Sequence, residues 1–229
     1  MPEGEIGSSG GASGSILQLK VRLLDVNPMI WRRVLVPAAM TLKELHGVFQ
    51  VVLGWRSLHL YRFRIHAVHY GSWELGAEGP DRTLCSFNFR RGDKFVYEYD
   101  MADYWKHEVR IEAWLEPQPR KRYPACIGGK GDCPPEECGG PAGYDECRIE
   151  ALGLDAHEDL DTIVEILDRI VLQDQPHLLD DDEIRGRLED VVERNRAREP
   201  FWPGRFDRRP VNTRLRAGEH HVLKHQQLC

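Results

Sequence analysis

The chain has 229 residues, 41% of them hydrophobic, and a formal charge of −6, which is enough apolar mass for a core and too acidic for a chain-wide nucleic-acid footprint. No run of about eighteen apolar residues occurs, which excludes a helical membrane span, and the first residues show neither a basic n-region nor an apolar h-region. The expectation is a cytoplasmic protein with no membrane partner. There the six cysteines stay reduced and point to metal binding or to no special role, rather than to disulfides.

Residues 1–15, MPEGEIGSSGGASGS, have almost nothing to bury and read as a disordered leader. From Ile16, the residues Leu17, Leu19, Val21 and Leu23 alternate with Gln18, Lys20 and Arg22, the pattern of a strand with one wet face. Asn27-Pro28 marks a turn, and Ile30 to Val36 forms a second strand paired with the first. Thr41 with Glu44 makes a capping box ahead of Leu42, Leu45, Val48, Phe49, Val52 and Leu53 at helical spacing, and Gly54 stops the helix. Tyr61, Phe63 and Ile65 give a third strand, 66–80 a long exposed loop, and 83–89 a short strand. Phe95, Tyr97 and Tyr99 alternate with Val96 and Glu98, and a turn at 100–104 joins that strand to the next as a hairpin.

The stretch from Tyr99 to Cys147 organises the chain. Trp105, His107, Val109, Ile111, Ala113 and Leu115 fall two apart between charged neighbours, so the imidazole of His107 points with the apolar set. After it, Pro and Gly interrupt 124–147 every few residues, which predicts an irregular loop. That loop holds Cys126, Cys133, Cys138 and Cys147. Thiolates suit zinc, and a closed site would stiffen a segment that no core can hold. Three readings stay open: a four-cysteine zinc site; a mixed site of His107 with Cys126, Cys133 and Cys138; or a core histidine satisfied by Asp100, Asp103 or a carbonyl, with the cysteines packing as small apolar groups. A catalytic Cys/His pair needs a base and an electropositive setting that the sequence does not display. Glu136 and Glu137 follow two prolines and suit turn capping or a hard cation. Asp100, Asp103, Trp105, Glu136, Glu137 and Tyr144 together form the expected functional surface.

Beyond the loop, Leu160, Ile163, Val164, Leu167, Ile170 and Val171 follow helical spacing, and 180–182 open another helix. The run Arg194 to Arg216 is basic, a candidate contact for nucleic acid, or else a charged tail that wraps back through Phe201, Trp202 and Phe206. The aromatic residues Tyr61, Phe63, Phe95, Tyr97, Tyr99 and Trp105 read as core before they read as a base-stacking platform. Arg32, Arg33, Arg62, Arg64, Arg90, Arg91 and Lys94 read as a solvated face interspersed with acids. Strands first and helices later predict an α+β domain with a largely antiparallel sheet, a helix after the first hairpin and C-terminal helices. The expected division is a leader at 1–15, a core domain at 16–155 with the Cys/Gly/Pro loop, and a helical extension and basic tail at 156–229 packed on the same domain.

Five segments carry a resemblance: NPMIWRRVLVP, TLKELHGVFQVVLGW with HLYRF, YDMADYWKHEV, PACIGGKGDCPPEECGGPAGYDE, and FDRRPVNTRL. In this order they resemble the Ri-plasmid Orf-three-like family, which includes passenger proteins of insertion sequences. The resemblance implies an α+β fold with an antiparallel sheet and says little about activity. Some relatives carry a resolvase-like label, but the activated Ser or Tyr beside arginines that strand transfer needs is not found here. This chain departs from the family pattern at Met101-Ala102, where relatives tend to have Phe-Gly, and at Tyr104, where a polar residue is commoner. The expected function is a non-enzymatic binding module of plasmid or mobile-element ancestry. The alternative is a metal-dependent hydrolase or nucleic-acid-processing enzyme using Asp100, Asp103, His107 and Glu136 or Glu137.

Overall fold

A computed structural model describes residues 14–202 and 204–225. The leader expected at 1–15 lies outside the described residues except for its last two, and Cys229 lies outside them as well. The chain divides into two compact units, one formed by 1–136 with 205–229, the other by 137–204. The boundary expected at 155/156 therefore falls at 136/137, and the closing residues return to the first unit. Among the described residues no helix is long and apolar enough to cross a membrane.

The first unit is an α+β domain built on a seven-stranded antiparallel sheet. Its strands are β1 (Ile16–Leu23), β2 (Trp31–Pro37), β3 (Tyr61–Ile65), β4 (Val68–Gly71), β5 (Lys94–Tyr99), β6 (Trp105–Leu115) and β7 (Ala125–Lys130), in the order β4-β3-β5-β6-β1-β2-β7. One face carries Leu17, Leu19, Val21, Val34, Phe63, Tyr97, Val109 and Ile111, all buried. The other is a lattice of opposite charges, with Arg33 on Glu112, Lys94 and Arg22 on Glu108, and Arg62 on Glu98. That pairing follows from strand alternation, since cross-strand neighbours on a wet face favour opposite signs. Arg32 is the exception among the expected surface arginines, because alternation turns it inward.

The apolar face is covered by α1 (Leu42–Leu53), which starts at the capping box of Thr41 and Glu44 and ends at Gly54 in the left-handed region. Almost all of α1 is buried, because α5 (Arg208–Arg216) and α6 (Glu219–Leu223) belong to the same unit and α6 runs against it. Gly47 is where they meet: a Cβ there would stand 2.1 Å from the His220 carbonyl oxygen. The poorly patterned C-terminus is thus helical and integral to the first unit.

Three local expectations change. The loop at 66–80 contains β4, because His66 and Ala67 both take positive φ (47° and 66°) and close a two-residue hairpin without the Asn-Gly signal that usually marks one. The strand expected at 83–89 is a 3-10 turn, Leu84–Phe87, tied down where Leu84 N donates to Met40 O and Cys85 N to Ala38 O. The segment 124–147 is not irregular throughout. It begins with β7 on the sheet edge and passes into α2 (Gly140–Ala151), where Pro141 in the first turn is compatible with a helix start.

The second unit is helical: α2, α3 (Leu154–Leu167) continued by a π-helical turn at Asp168–Leu172, and α4 (Asp182–Arg198). Asp181 caps α4 by accepting from Glu183 N and Ile184 N. Asp159 of α3 holds Arg194 and Arg198 of α4, and those guanidiniums, Arg194 first, bring its carboxyl down to about 2.

Arg32 is 2% exposed and works as a clamp. Its Nε donates to Val52 O at the end of α1 (2.9 Å), Nη1 to Trp31 O and Lys130 O (2.9 and 3.1 Å), and Nη2 meets Cys133 Sγ at 3.3 Å. The Phe206 ring lies 3.8 Å from its guanidinium carbon. Replacing Arg32 by Ala leaves several buried carbonyls without a donor, and R32A is expected to lower the unfolding free energy by roughly 3 kcal/mol or more in denaturant titration. R32K recovers only part of the loss, since an ammonium lacks the planar fork.

Candidate functional site

The turn at 100–104 and the loop at 131–136 meet at one end of the sheet. Asp100 takes φ 57° and accepts from Ala102 N and Asp103 N at 2.9 and 3.3 Å, so its carboxylate shapes the hairpin tip. It also pairs with His59 Nε2 at 3.4 Å. Tyr104 donates its hydroxyl to Glu98. Glu136 is 7% exposed and fully engaged: it accepts from Arg56 N (2.8 Å), from Leu58 N (3.4 Å) and from the Tyr99 hydroxyl. Burial raises the Tyr99 phenol above its usual range, and the Glu136 carboxylate adds to this. Trp105 Nε1 donates to Glu136 O, and Trp55 Nε1 to Pro134 O. The loop is therefore held by two indoles and a carboxylate that accepts backbone amides, an arrangement that satisfies buried polar groups.

His107 is completely buried, as the alternation predicts. Its Nδ1 lies 3.3 Å from Tyr97 O, its Nε2 has no partner among the described residues, and Trp55 meets the ring edge-on at 5.4 Å. Its partner is thus a strand carbonyl, not Asp100 or Asp103. Cys126 sits on β7 with its thiol against Gly128 O, and Cys133 sits against Arg32. Burial raises both thiols, Cys133 to about 11, so they are protonated at neutral pH and weak nucleophiles. Among the described residues, His107, Cys126 and Cys133 do not gather as three donors around one point. Within the first unit, the metal-type donors that approach each other are His59 and Glu136, with ligand atoms within 4.8 Å. Cys138, Cys147, Glu137 and Tyr144 belong to the second unit, where the Tyr144 ring packs 6.1 Å from Phe201.

A second buried histidine escaped the sequence reading. His46 on α1 stacks on Tyr61 at 3.7 Å, and its nitrogens meet the Tyr97 hydroxyl (2.7 Å) and Ser57 Oγ (2.8 Å). Gln50 joins the network by donating to the Tyr97 hydroxyl and accepting from Ser57 N. The aromatic residues expected as core are core, and none offers a face for base stacking.

A basic surface lies elsewhere in the first unit. A cleft of about 590 Å³ is lined by Arg120, Lys121, Arg122, Arg208, Arg209 and Arg216, together with Asn212. Asn212 mimics an added strand on the β7 edge, accepting from Cys126 N (2.9 Å) and donating to Cys126 O (2.8 Å). Arg208 donates to Ile127 O, which the bulge opposite Arg33 and Val34 leaves accessible. Among the described residues only Arg209 of these cations is ion-paired, to Asp207. The run Arg194 to Arg216 does not act as one tail, because Arg194 and Arg198 are consumed by Asp159 in the second unit. The sequence signal for the cleft was the tripeptide Arg120-Lys121-Arg122 in a strand connection, and only the fold shows that it faces α5.

The family model described as "Plasmid pRiA4b ORF-3-like protein" matches residues 15–182. An "Uncharacterized protein y4hQ" of Sinorhizobium fredii is 39% identical over 150 residues, covering 63% of this chain and 76% of the relative. A crystal structure of a protein of unknown function, MM3350 of Methanosarcina mazei Go1, superposes with a TM-score of 0.57 at 28% identity, covering 63% of this chain and 86% of that one.

Burial pushes both His46 and His107 down to about 3. An unfolded histidine titrates near 6.5, so between these values the unfolded chain binds more protons and acid favours unfolding. Stability is therefore complete above about pH 6.5 and falls toward pH 3 by about 1.4 kcal/mol per pH unit for each histidine. Burial lowers His220 as well, to about 4, so chemical denaturation across that range measures a shared slope, and H107L is expected to reduce it by the share of one histidine, about 1.4 kcal/mol per pH unit.

Proposed function

The chain belongs to the family of plasmid pRiA4b ORF-3-like proteins, and we propose that it is a non-enzymatic binding module of plasmid or mobile-element ancestry that takes a nucleic-acid phosphate backbone in the basic cleft. The observation that carries this reading is the convergence of Arg120, Lys121, Arg122, Arg208, Arg209 and Arg216 on one concave surface, in a chain whose net charge is −6. Like charges gathered in a cleft repel one another, and an anion with regularly spaced charges relieves that repulsion while releasing its counterions.

The carboxylates of the Tyr99–Tyr144 stretch support binding over catalysis. Asp100 shapes a turn, Glu136 is held by backbone amides and a phenol, and His107 is sealed beneath Trp55. A general acid or base needs a route to substrate and a free lone pair, and each of these groups is engaged in packing or capping.

Fluorescence anisotropy with a labelled duplex of about 20 base pairs tests the reading, because log K should fall linearly with log salt and each lost phosphate contact should reduce the slope by about 0.9. R122A and R208A are each expected to weaken binding and flatten the salt slope while leaving the thermal midpoint close to that of the wild type. No binding at low salt, or unchanged affinity in R122A/R208A, would overturn the proposal.

A further inference from the structure

We propose a second interaction surface, independent of the basic cleft: the outer face of α3 is a docking shelf for a basic amphipathic helix of a partner protein. Leu160, Val164 and Leu167 of α3, followed by Val171 in the π-helical turn that continues it, recur at intervals of four, three and four residues, and they are 47%, 63%, 49% and 67% exposed. That spacing is the narrow seam of a helix that packs along another helix. The α4-facing side of α3 is already supplied by others, with Ile166 buried and Asp159 bound to Arg194 and Arg198. The exposed seam is therefore surplus to the packing of its own unit, and an apolar stripe of this length on a soluble helix signals an absent neighbour.

Charge identifies the neighbour. Asp161, Glu165 and Asp168 run along one margin of the seam at intervals of four and three residues, and among the described residues none of them is ion-paired. A second copy seated on the same seam would bring another acidic margin with it, and an anionic membrane surface would be repelled. A helix with an apolar stripe flanked by lysine or arginine fits both features, the stripe burying the seam and the flanks meeting the acidic margin.

The test uses the full chain and a labelled three-heptad helical peptide with a leucine seam and lysine flanks. Anisotropy should report saturable binding, and hydrogen exchange should show protection confined to α3. V164Q/L167Q preserves the charge and alters only exposed side chains, so it should weaken binding at least about tenfold with an unchanged thermal midpoint. D161N/E165Q should weaken it severalfold and remove most of its salt dependence. The same peptide with glutamate flanks should not bind. The proposal fails if the glutamate peptide binds equally well, if protection appears elsewhere, or if neither double variant changes affinity. It fails too if sedimentation shows that the free protein is a dimer that V164Q/L167Q dissolves, because the seam would then belong to a second copy.

Discussion

The first unit depends on a buried positive charge that, among the described residues, is held without an ion-pair partner. The Arg32 guanidinium is met by carbonyls from the end of α1, from β2 and from β7, by a thiol and by an aromatic face. Isolated charges are costly to bury, and this one is tolerated because helix-end and strand carbonyls present partial negative charge where the donors point. Each partner comes from a different part of the chain. A single side chain thereby registers the helix, the sheet edge and the returning C-terminus against one another.

The glycines of β7 make sense in that frame. Gly129 has no side chain because a Cβ there would stand 2.5 Å from the Phe206 ring that covers Arg32. Phe206 brings α5 to the edge, Asn212 satisfies the exposed strand groups, and the edge no longer offers a template for pairing with another chain. The segments NPMIWRRVLVP, PACIGGKGDC and FDRRPVNTRL meet here physically, although the family match ends at residue 182 and the last of them lies beyond it.

Much of this architecture was legible in the sequence, because period-two and helical apolar patterns record which face is buried. The strands β1, β2, β3, β5 and β6, the capped α1 and the inward ring of His107 all followed from that rule. It failed where backbone conformation or distant contacts decide. The His66-Ala67 hairpin lacks its usual glycine, and β7 hides among glycines needed for close packing. Pro141 could be read as a breaker when it opens a helix. The candidate site was only partly legible for a related reason. Hydrogen-bonding partners such as His46 with Ser57, or Asn212 with Cys126, are far apart along the chain and leave no local periodicity. The gathering of four cysteines in one loop suggested a shared ligand set, whereas within the first unit Cys126 and Cys133 each have their own neighbour.

The return of 205–225 to the first unit has an architectural consequence. The helical unit at 137–204 is an insertion, tethered at both ends, and not a terminal appendage. Lengthening or remodelling such an insert changes the closure entropy only logarithmically, while the host keeps its sheet, its clamp and its edge cover. The arrangement lets selection revise one module's surface without renegotiating the stability of the other.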